Sequence, residues 1–336
     1  MHKTFDRNRR LALGALLGTP LLPQWAFAAT DDADGARLAA VVTGAQRSEA
    51  NRARDGARHP YETLRFFGLA PTQTVIEIAP GAGWYTEILA PYLRERGRLY
   101  AAHYAADAPE EGRRRSRARF DEKLSKDPAV YDRVVVGTLP RDGRGFTDIA
   151  PPGGADLVLT FRNVHNWIED GHLDATLRAF FAVLKPGGVL GVEEHRAAPG
   201  TPLAQVIATG YVPEAMVIER ARAAGFQLSG RSEINANPRD TKDHPNGVWS
   251  LPPTLRGGDT DRAKFLAIGE SDRMTLKFVK PAVDTSLRSK SRYRAAGGGA
   301  SKPFDMTDRW AATQHLLSVA AGRRNNRRIA ALSSFA

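Results

Sequence analysis

The chain has 336 residues, of which 42% are hydrophobic and 25% are charged, an ordinary globular composition with enough apolar side chains for a buried core. It contains no cysteine, which excludes disulfide bonds, cysteine nucleophiles and thiolate metal sites. The formal charge of +11 lies mostly at the two ends, with +3 in residues 1–28, +7 in residues 284–336 and +1 between them. Nucleic-acid-binding domains concentrate positive charge on a folded face, so this distribution predicts no nucleic-acid partner.

Residues 1–28 have the pattern of an export signal. Basic residues up to Arg10 precede an apolar run from Leu11 to Leu22, and Ala26-Phe27-Ala28 matches the small-x-small pattern that signal peptidase cleaves. The apolar run is short for a bilayer, so we expect no integral membrane segment after cleavage. Arg9-Arg10 resembles a twin-arginine signal, with an ordinary secretory signal as the alternative. The sequence therefore predicts an exported, periplasmic protein.

After a predicted helical lead-in at residues 29–58, strand and helix patterns alternate as far as residue 283. The predicted strands are residues 75–78, 98–104, 133–136, 156–161, 189–193, 226–229 and 274–279. The predicted helices are residues 61–67, 85–93, 110–126, 173–184 and 213–224. Alternation at this spacing predicts an α/β domain over residues 59–283, with a mostly parallel sheet covered on both faces.

Two segments depart from this alternation. Residues 235–269 are long, polar and rich in proline, which is typical of a functional lid or of a disordered loop. Residues 284–336 are rich in arginine and contain three successive glycines, which predicts a mobile, solvated tail. Nucleic-acid or membrane binding by that basic tail is the alternative.

The most informative motif runs from Val75 to Trp84, where an apolar strand is followed by Pro80-Gly81-Ala82-Gly83 and then by a helix. Glycines let the main chain approach a ligand, and the N–H groups of the following helix point at it. Glu77 lies inside the apolar strand, where an unpaired carboxylate is costly, which favours a functional role. No Lys-Ser/Thr pair follows the turn, so a phosphate-binding P-loop is excluded.

This motif resembles the first motif of class I S-adenosylmethionine (SAM) methyltransferases, an acid followed by x-Gly-x-Gly-x-Gly. The resemblance implies a doubly wound Rossmann-like sheet of seven strands, mostly parallel with an antiparallel last strand. It also implies SAM as cofactor, with Glu77 at its methionine part, Gly81 and Gly83 under it, and Ala79 replacing the first glycine. The further candidates for cofactor binding are Pro80, Trp84, Tyr85, His103, Asp107 and Asn163.

Within that superfamily the chain is similar to predicted bacterial methyltransferases that carry signal peptides. The matching stretches are residues 59–68, 80–85 and 269–276. One departure concerns the second strand, which ends in His103-Tyr104 where the family usually has the acid that holds the ribose. Asp107, slightly further on, is the candidate replacement.

Catalytic candidates are sought beyond the carboxyl ends of the strands, where doubly wound sheets bind their ligands. Methyl transfer requires an oriented acceptor and often a base, and histidine is the natural base near neutral pH. We rank His165 first and His195 second, with Asp240 or His244 third. The order of histidines and acids shows no metal-ligand spacing, so we expect no metal site.

The predicted activity is methyl transfer to a small-molecule or envelope acceptor. The fourth strand is not followed by the Asn-Pro-Pro-Tyr/Phe signature of base amino-methylation, which argues against a DNA amino-methyltransferase. A non-catalytic, exported ligand-binding protein with the same fold is the alternative.

Overall fold

The computed structural model describes residues 24–146 and 148–282. Most of the predicted export signal and the predicted tail lie outside these residues. Within them, helix α1 (Gln24–Thr43) begins before the predicted cleavage point at Ala28. Export therefore remains a prediction from the sequence.

The described residues form a seven-stranded sheet. Its strands are β1 (Thr74–Ile78), β2 (Arg98–His103), β3 (Val135–Thr138), β4 (Ala155–Phe161), β5 (Leu184–His195), β6 (Gln227–Ser232) and β7 (Arg273–Val279). They lie in the order β3-β2-β1-β4-β5-β7-β6. Strand β7 pairs antiparallel with β5 and β6, and the other pairs are parallel. The predicted doubly wound, Rossmann-like α/β sheet with an antiparallel last strand is confirmed.

Helices cover both faces of the sheet. The helices after α1 are α2 (Glu49–Arg52), α3 (Asp55–Arg58), α4 (Pro60–Phe67), α5 (Thr86–Leu93), α6 (Glu111–Lys126), α7 (Pro128–Tyr131), α8 (Val164–Glu169), α9 (Leu173–Val183), α10 (Leu203–Thr209), α11 (Glu214–Ala223) and α12 (Arg262–Ile268). Buried side chains of α1, α4 and α5 pack on one face, and those of α9 and α11 pack on the other. In the described part of the chain, no helix combines the length and apolar character needed to cross a bilayer.

The alternation of side chains along β1 explains why both faces are apolar. Ile76 and Ile78 belong to the core cluster under α9 and α11, whereas Val75 belongs to the cluster under α1, α4 and α5. Successive side chains of a strand point to opposite faces, so a strand buried on both sides is apolar throughout. Glu77 consequently shares its face with Val75 and points towards α5.

Residues 235–269 form a packed segment with helical elements. A 3₁₀ helix spans Gly247–Ser250, and α12 lies near the end of the segment. Asp240 and His244 are buried. The polar, proline-rich sequence does not predict this packing, because Asp240 and His244 are buried against partners that are distant along the chain.

Close packing of α4 on the sheet gives a test of the fold. A Cβ atom added to Gly191 in β5 would lie 2.7 Å from Cγ of Phe67 and 2.9 Å from Cδ2 of Leu159. We expect Gly191→Ala to lower the free energy of unfolding by about 1–3 kcal/mol, measured by chemical denaturation, because the core must move to admit one methyl group. Gly56→Ala in α3 is the matched control, since its added Cβ would meet nothing within 4 Å. Equal stabilities of the two variants would contradict this packing.

Candidate active site

The turn between β1 and α5 leaves open space above Gly81. Ala79, Gly81 and Gly83 have φ angles of 45°, 61° and 80°, a left-handed conformation that favours glycine. A Cβ at Gly81 would meet nothing within 4 Å, whereas one at Gly83 would lie 2.9 Å from Cδ of Lys123. Gly81 therefore allows a ligand to reach the main chain, whereas a side chain at Gly83 would have to displace Lys123 of α6.

Glu77 is buried beside this turn with a single hydroxyl partner. Oγ1 of Thr86 donates a hydrogen bond of 2.6 Å to Oε2 of Glu77. Burial raises the pKa of Glu77 to about 7, although the hydrogen bond from Thr86 and the charge of Lys123 oppose the rise. Thr86 begins α5, so the carboxylate joins the end of the strand to the start of the helix.

His103 braces the glycine turn from β2. The main-chain N–H of Tyr104 donates to its Nδ1 at 2.7 Å, so Nε2 carries the proton and donates to the carbonyl oxygen of Gly81 at 3.0 Å. Burial lowers the pKa of His103, which keeps the ring neutral. Both ring nitrogens are occupied by main chain. The predicted contact of His103 with the cofactor stays a prediction, and it would have to use the carbon atoms of the ring.

Trp84 and Tyr85 follow the turn but pack towards other elements. The indole N–H of Trp84 donates to the carbonyl of Asn51 at 3.2 Å. The ring of Tyr85 stacks on Phe161 with centroids 3.6 Å apart, and its hydroxyl donates to Oε2 of Glu193 at 3.2 Å. These two predicted cofactor residues thus connect the turn to the lead-in and to the ends of β4 and β5.

A cavity of about 250 Å³ lies beyond the carboxyl ends of β2 and β3 and beside α8. Its apolar wall includes Leu139, Phe146 and Trp167, and Asp107 and Asn166 are among its polar residues. The lining is mixed, because it also includes the charged residues Glu110, Arg113, Arg141 and Asp170. Asp107, predicted to replace the missing ribose acid, lies at this cavity.

Asn163 joins the ends of β1 and β4. Its Nδ2 donates to the carbonyl of Ile78 and to Oγ1 of Thr160, both at 3.1 Å. The amide thereby fixes the spacing of the two strands next to the glycine turn.

His165 forms a buried pair with Glu194 across the ends of β4 and β5. Nδ1 of His165 lies 3.0 Å from Oε1 of Glu194. The same carboxylate accepts main-chain N–H groups of Val164, His165 and His195 at 2.6, 3.3 and 2.8 Å. Because the carboxylate oxygen accepts the hydrogen bond, Nδ1 of His165 is the donor and Nε2 is the ring nitrogen left to accept.

His195 lies next to this pair, with its ring centroid 5.4 Å from that of His165. Its Nδ1 is hydrogen-bonded to Oγ of Ser271 at 2.6 Å. Burial and the neighbouring His165 lower the pKa of His195 well below its usual value. His195 is therefore neutral near pH 7 and a weak base.

The same three residues could also hold a metal ion. One ligand atom from each of His165, Glu194 and His195 lies within 4.8 Å of the others. The order of these residues along the chain shows no ligand spacing and predicts no metal site, but the parallel pairing of β4 and β5 brings their ends together. Two histidines and a carboxylate suit zinc or iron.

Asp240, the third catalytic candidate, organises the segment after β6. Its carboxylate accepts hydrogen bonds from the hydroxyl of Tyr211 at 2.8 Å and from Nε2 of His244 at 2.9 Å. It also accepts the main-chain N–H groups of Lys242 and Asp272 at 3.0 and 2.7 Å. These contacts anchor the segment against β7 and do not reach His165.

A second group, which we name the arginine cluster, is not predicted from the sequence. Its members are Arg54, Arg58, Arg162, Arg273, Glu193 and Glu270. Glu193 and Glu194 are adjacent in β5 and point to opposite faces, so one serves the arginine cluster and the other serves His165. The adjacent acids Glu193 and Glu194 at the end of a buried strand are the feature of the sequence that indicates such partners, because buried carboxylates need them.

Comparison with known proteins gives a structural match only. No protein-family model matches the chain, and no curated protein matches it by sequence. The solved [4+2]-cyclase SpnF matches with a TM-score of 0.50 and 16% identity, over 76% of this chain and 96% of its own.

Two solved SAM-dependent methyltransferases also match. The enzyme from Aquifex aeolicus has a TM-score of 0.46 at 17% identity, over 68% of this chain and 93% of its own. The enzyme from Mesorhizobium loti has a TM-score of 0.40 at 13% identity, over 65% of this chain and 96% of its own.

The strand order and the antiparallel β7 decide the architecture. The chain has the class I methyltransferase fold. Since one solved protein that shares this fold is a cyclase, the methyltransferase fold does not by itself define the reaction. The reaction therefore has to be inferred from the side chains at the ends of the strands.

Proposed function

We propose that the protein transfers the methyl group of SAM to a hydroxyl group of a small acceptor molecule, with His165 as the base. The observation that carries this proposal is the buried pair of His165 and Glu194, whose Nδ1 and Oε1 atoms lie 3.0 Å apart. A histidine oriented by a carboxylate through Nδ1 presents an unprotonated Nε2, which is the form that a general base requires.

Two separate features of the described residues support SAM as the cofactor. Open space above Gly81 and the neighbouring carboxylate of Glu77 would hold its methionine part. The cavity at the ends of β2 and β3 would hold the adenosine part, with Asp107 as the acid for the ribose hydroxyls. When bound, SAM supplies an activated methyl group, so the protein has to position the acceptor and remove its proton.

Proton removal follows from the hydrogen bonds around His165. Nε2 takes the hydroxyl proton of the acceptor while Nδ1–H keeps its bond to Glu194. The carboxylate then stabilises the imidazolium that forms, because it is already held by three main-chain N–H groups. His195 is the weaker candidate because its lowered pKa makes it a poor base near neutral pH.

Calorimetry with SAM tests the cofactor assignment. We expect the wild-type protein to bind SAM and Gly81→Ala to bind it at least about tenfold more weakly, because the added methyl group enters the space above the turn. Gly187→Ala is the matched control, since Gly187 also has a positive φ (80°) and open space but lies at the start of β5. Both variants place an alanine at a positive φ with open space around it, so weaker binding by Gly81→Ala alone reports on the turn.

Absence of binding by the wild-type protein at high micromolar SAM would refute methyl transfer and favour a non-catalytic ligand-binding protein. Equal binding by the two glycine variants would refute the assignment of the turn.

A further inference from the structure

We infer that the acceptor carries a carboxylate or a similar anionic group, and that Arg58 and Arg162 of the arginine cluster bind this group. The identification of the ligand as the acceptor rests on the proposed methyl transfer. The anion site itself rests on the charge and contacts of the cluster.

The arginine cluster holds more positive than negative charge in a buried place. Its four arginines and two glutamates give a formal charge of +2. The side chains of Arg58 and Arg273 are 5% and 2% exposed and Glu193 is fully buried, whereas Arg54 and Arg162 are 25% and 20% exposed and form the open side of the cluster. Buried charge without a counter-charge is costly, so an anion that enters the cluster gains unusually strong interactions.

Two of the arginines have unused hydrogen-bond donors. Arg58 donates through Nε to Glu270 at 3.2 Å, and its two terminal nitrogens have no partner among the described residues. Arg162 donates through Nη1 to Glu193 at 3.0 Å, and its Nε and Nη2 likewise have none in residues 24–146 and 148–282. A guanidinium presents its donors as a planar fork that matches a carboxylate with two parallel bonds.

One chain of ion pairs links these two guanidinium groups: Arg58 pairs with Glu270, Arg273 pairs with Glu270 and Glu193, and Glu193 pairs with Arg162. Burial, followed by the charge of Arg162, lowers the pKa of Arg58 to about 9. Arg58 is fixed in place by Trp84, whose ring centroid lies 4.7 Å from the guanidinium carbon. Arg162 is fixed by its main chain, which has a φ of 61° and donates to the carbonyl of Glu193 at 2.7 Å. The donors are therefore held before any ligand arrives, which lowers the entropic cost of binding.

The position of the cluster assigns the anion to the acceptor. The residues assigned to the cofactor follow β1, β2 and β3 or lie on and after α8, and no residue that lines the cavity belongs to the cluster. The cluster draws on the ends of β4 and β5, the start of β7 and the lead-in. Phe161 pairs with Glu193 and His195 pairs with Arg273, which places the cluster beside the base at His165.

Thermal unfolding with benzoate as the probe and benzamide as its neutral analogue tests this inference. We expect benzoate, and not benzamide, to raise the melting temperature of the wild-type protein in a concentration-dependent way. Arg58→Gln and Arg162→Gln should each weaken benzoate binding at least tenfold. Arg58→Lys should also weaken it, because a lysine keeps the charge and loses the planar fork.

Arg256→Gln is the matched control. Arg256 stacks on Trp249 at 4.6 Å, much as Arg58 stacks on Trp84, but it is exposed and belongs to no carboxylate network in the described chain. Its loss should leave benzoate binding unchanged.

Equal stabilisation by benzoate and benzamide, or unchanged benzoate affinity in the Arg58 and Arg162 variants, would overturn the anion site. A second measurement separates acceptor from cofactor by comparing adenosylhomocysteine with methylthioadenosine, which lacks the amino-acid part. If Arg58→Gln weakened only adenosylhomocysteine, the anion would be the cofactor's carboxylate and the acceptor assignment would be wrong. Failure of the wild-type protein to bind SAM while it still binds benzoate would refute methyl transfer and leave the anion site standing.

Discussion

Replacement of His165 by asparagine is expected to lower kcat about 10²- to 10⁴-fold, the usual contribution of a general base. The amide Nδ2 of asparagine can replace Nδ1–H as donor to Glu194, so the local fold should survive while the proton acceptor at Nε2 is lost. The rate is measured as transfer of a labelled methyl group from SAM to a hydroxylated acid such as 4-hydroxybenzoate. The loss should shrink for acceptors with more acidic hydroxyl groups, because these need less help from a base.

His195→Asn is the matched comparison for this prediction. Its asparagine can keep the contact with Ser271, and we expect a smaller loss of kcat because the lowered pKa of His195 makes it a weak base. A larger loss in His195→Asn than in His165→Asn would show that the base is misassigned. Loss of wild-type activity on dialysis against a chelator, restored by zinc, would show that activity depends on a metal, for which His165, Glu194 and His195 are the candidate ligands.

Ionisation of Glu77 is expected to make the stability of the protein depend on pH. Its pKa is raised from 4.5 in the unfolded chain to about 7 in the folded protein, so the folded state binds a proton more tightly. The free energy of unfolding therefore falls as pH rises between these two values, by about 3 kcal/mol from this group alone. Above the pKa of Glu77 in the folded protein, the carboxyl is ionised in both states and the full decrease in the free energy of unfolding is present. Below its pKa in the unfolded chain, the carboxyl is protonated in both states and there is no decrease.

Glu77→Gln should remove this dependence while it keeps an acceptor for Thr86. Chemical denaturation at about pH 5 and about pH 8 should show the variant gaining stability over the wild type only at the higher pH. Glu122→Gln is the control, because Glu122 is exposed and its pair with Lys126 lowers its pKa, so its effect should be the same at both pH values. A difference between Glu77→Gln and wild type that does not change with pH would contradict the raised pKa.

Local patterns were sufficient to predict the sheet and the glycine turn. Apolar runs of strand length, helices between them and the order Pro80-Gly81-Ala82-Gly83 are all visible over short stretches of sequence. Element boundaries were less accurate. The predicted third strand at residues 133–136 is observed at Val135–Thr138, and the predicted fifth at residues 189–193 extends over Leu184–His195. The extension includes an irregular pairing opposite Ala155 and Leu157, which no short pattern indicates.

The partners at the site could not be predicted, because they are distant along the chain. Arg54 and Glu270 are separated by 216 positions, and His165 and Glu194 by 29. A sequence shows that Glu193 and Glu194 are unusual in a buried strand, but it does not show which cation or histidine each one meets. His103 illustrates the same limit, since only the fold reveals that both of its nitrogens bind main chain.

Because the side chains of Glu193 and Glu194 point to opposite faces of β5, the proposed anion site and the proposed base can change independently in evolution. One of the two arginines of the anion site, Arg58, comes from α3 before β1, whereas the base depends on β5 and the start of α8. Mutations in the first segment can alter which acceptors are accepted without disturbing the group that removes the proton. Related chains could thus acquire new acceptors by exchanging the lead-in, which is predicted to span residues 29–58. Grafting such a segment is a direct route to changed specificity.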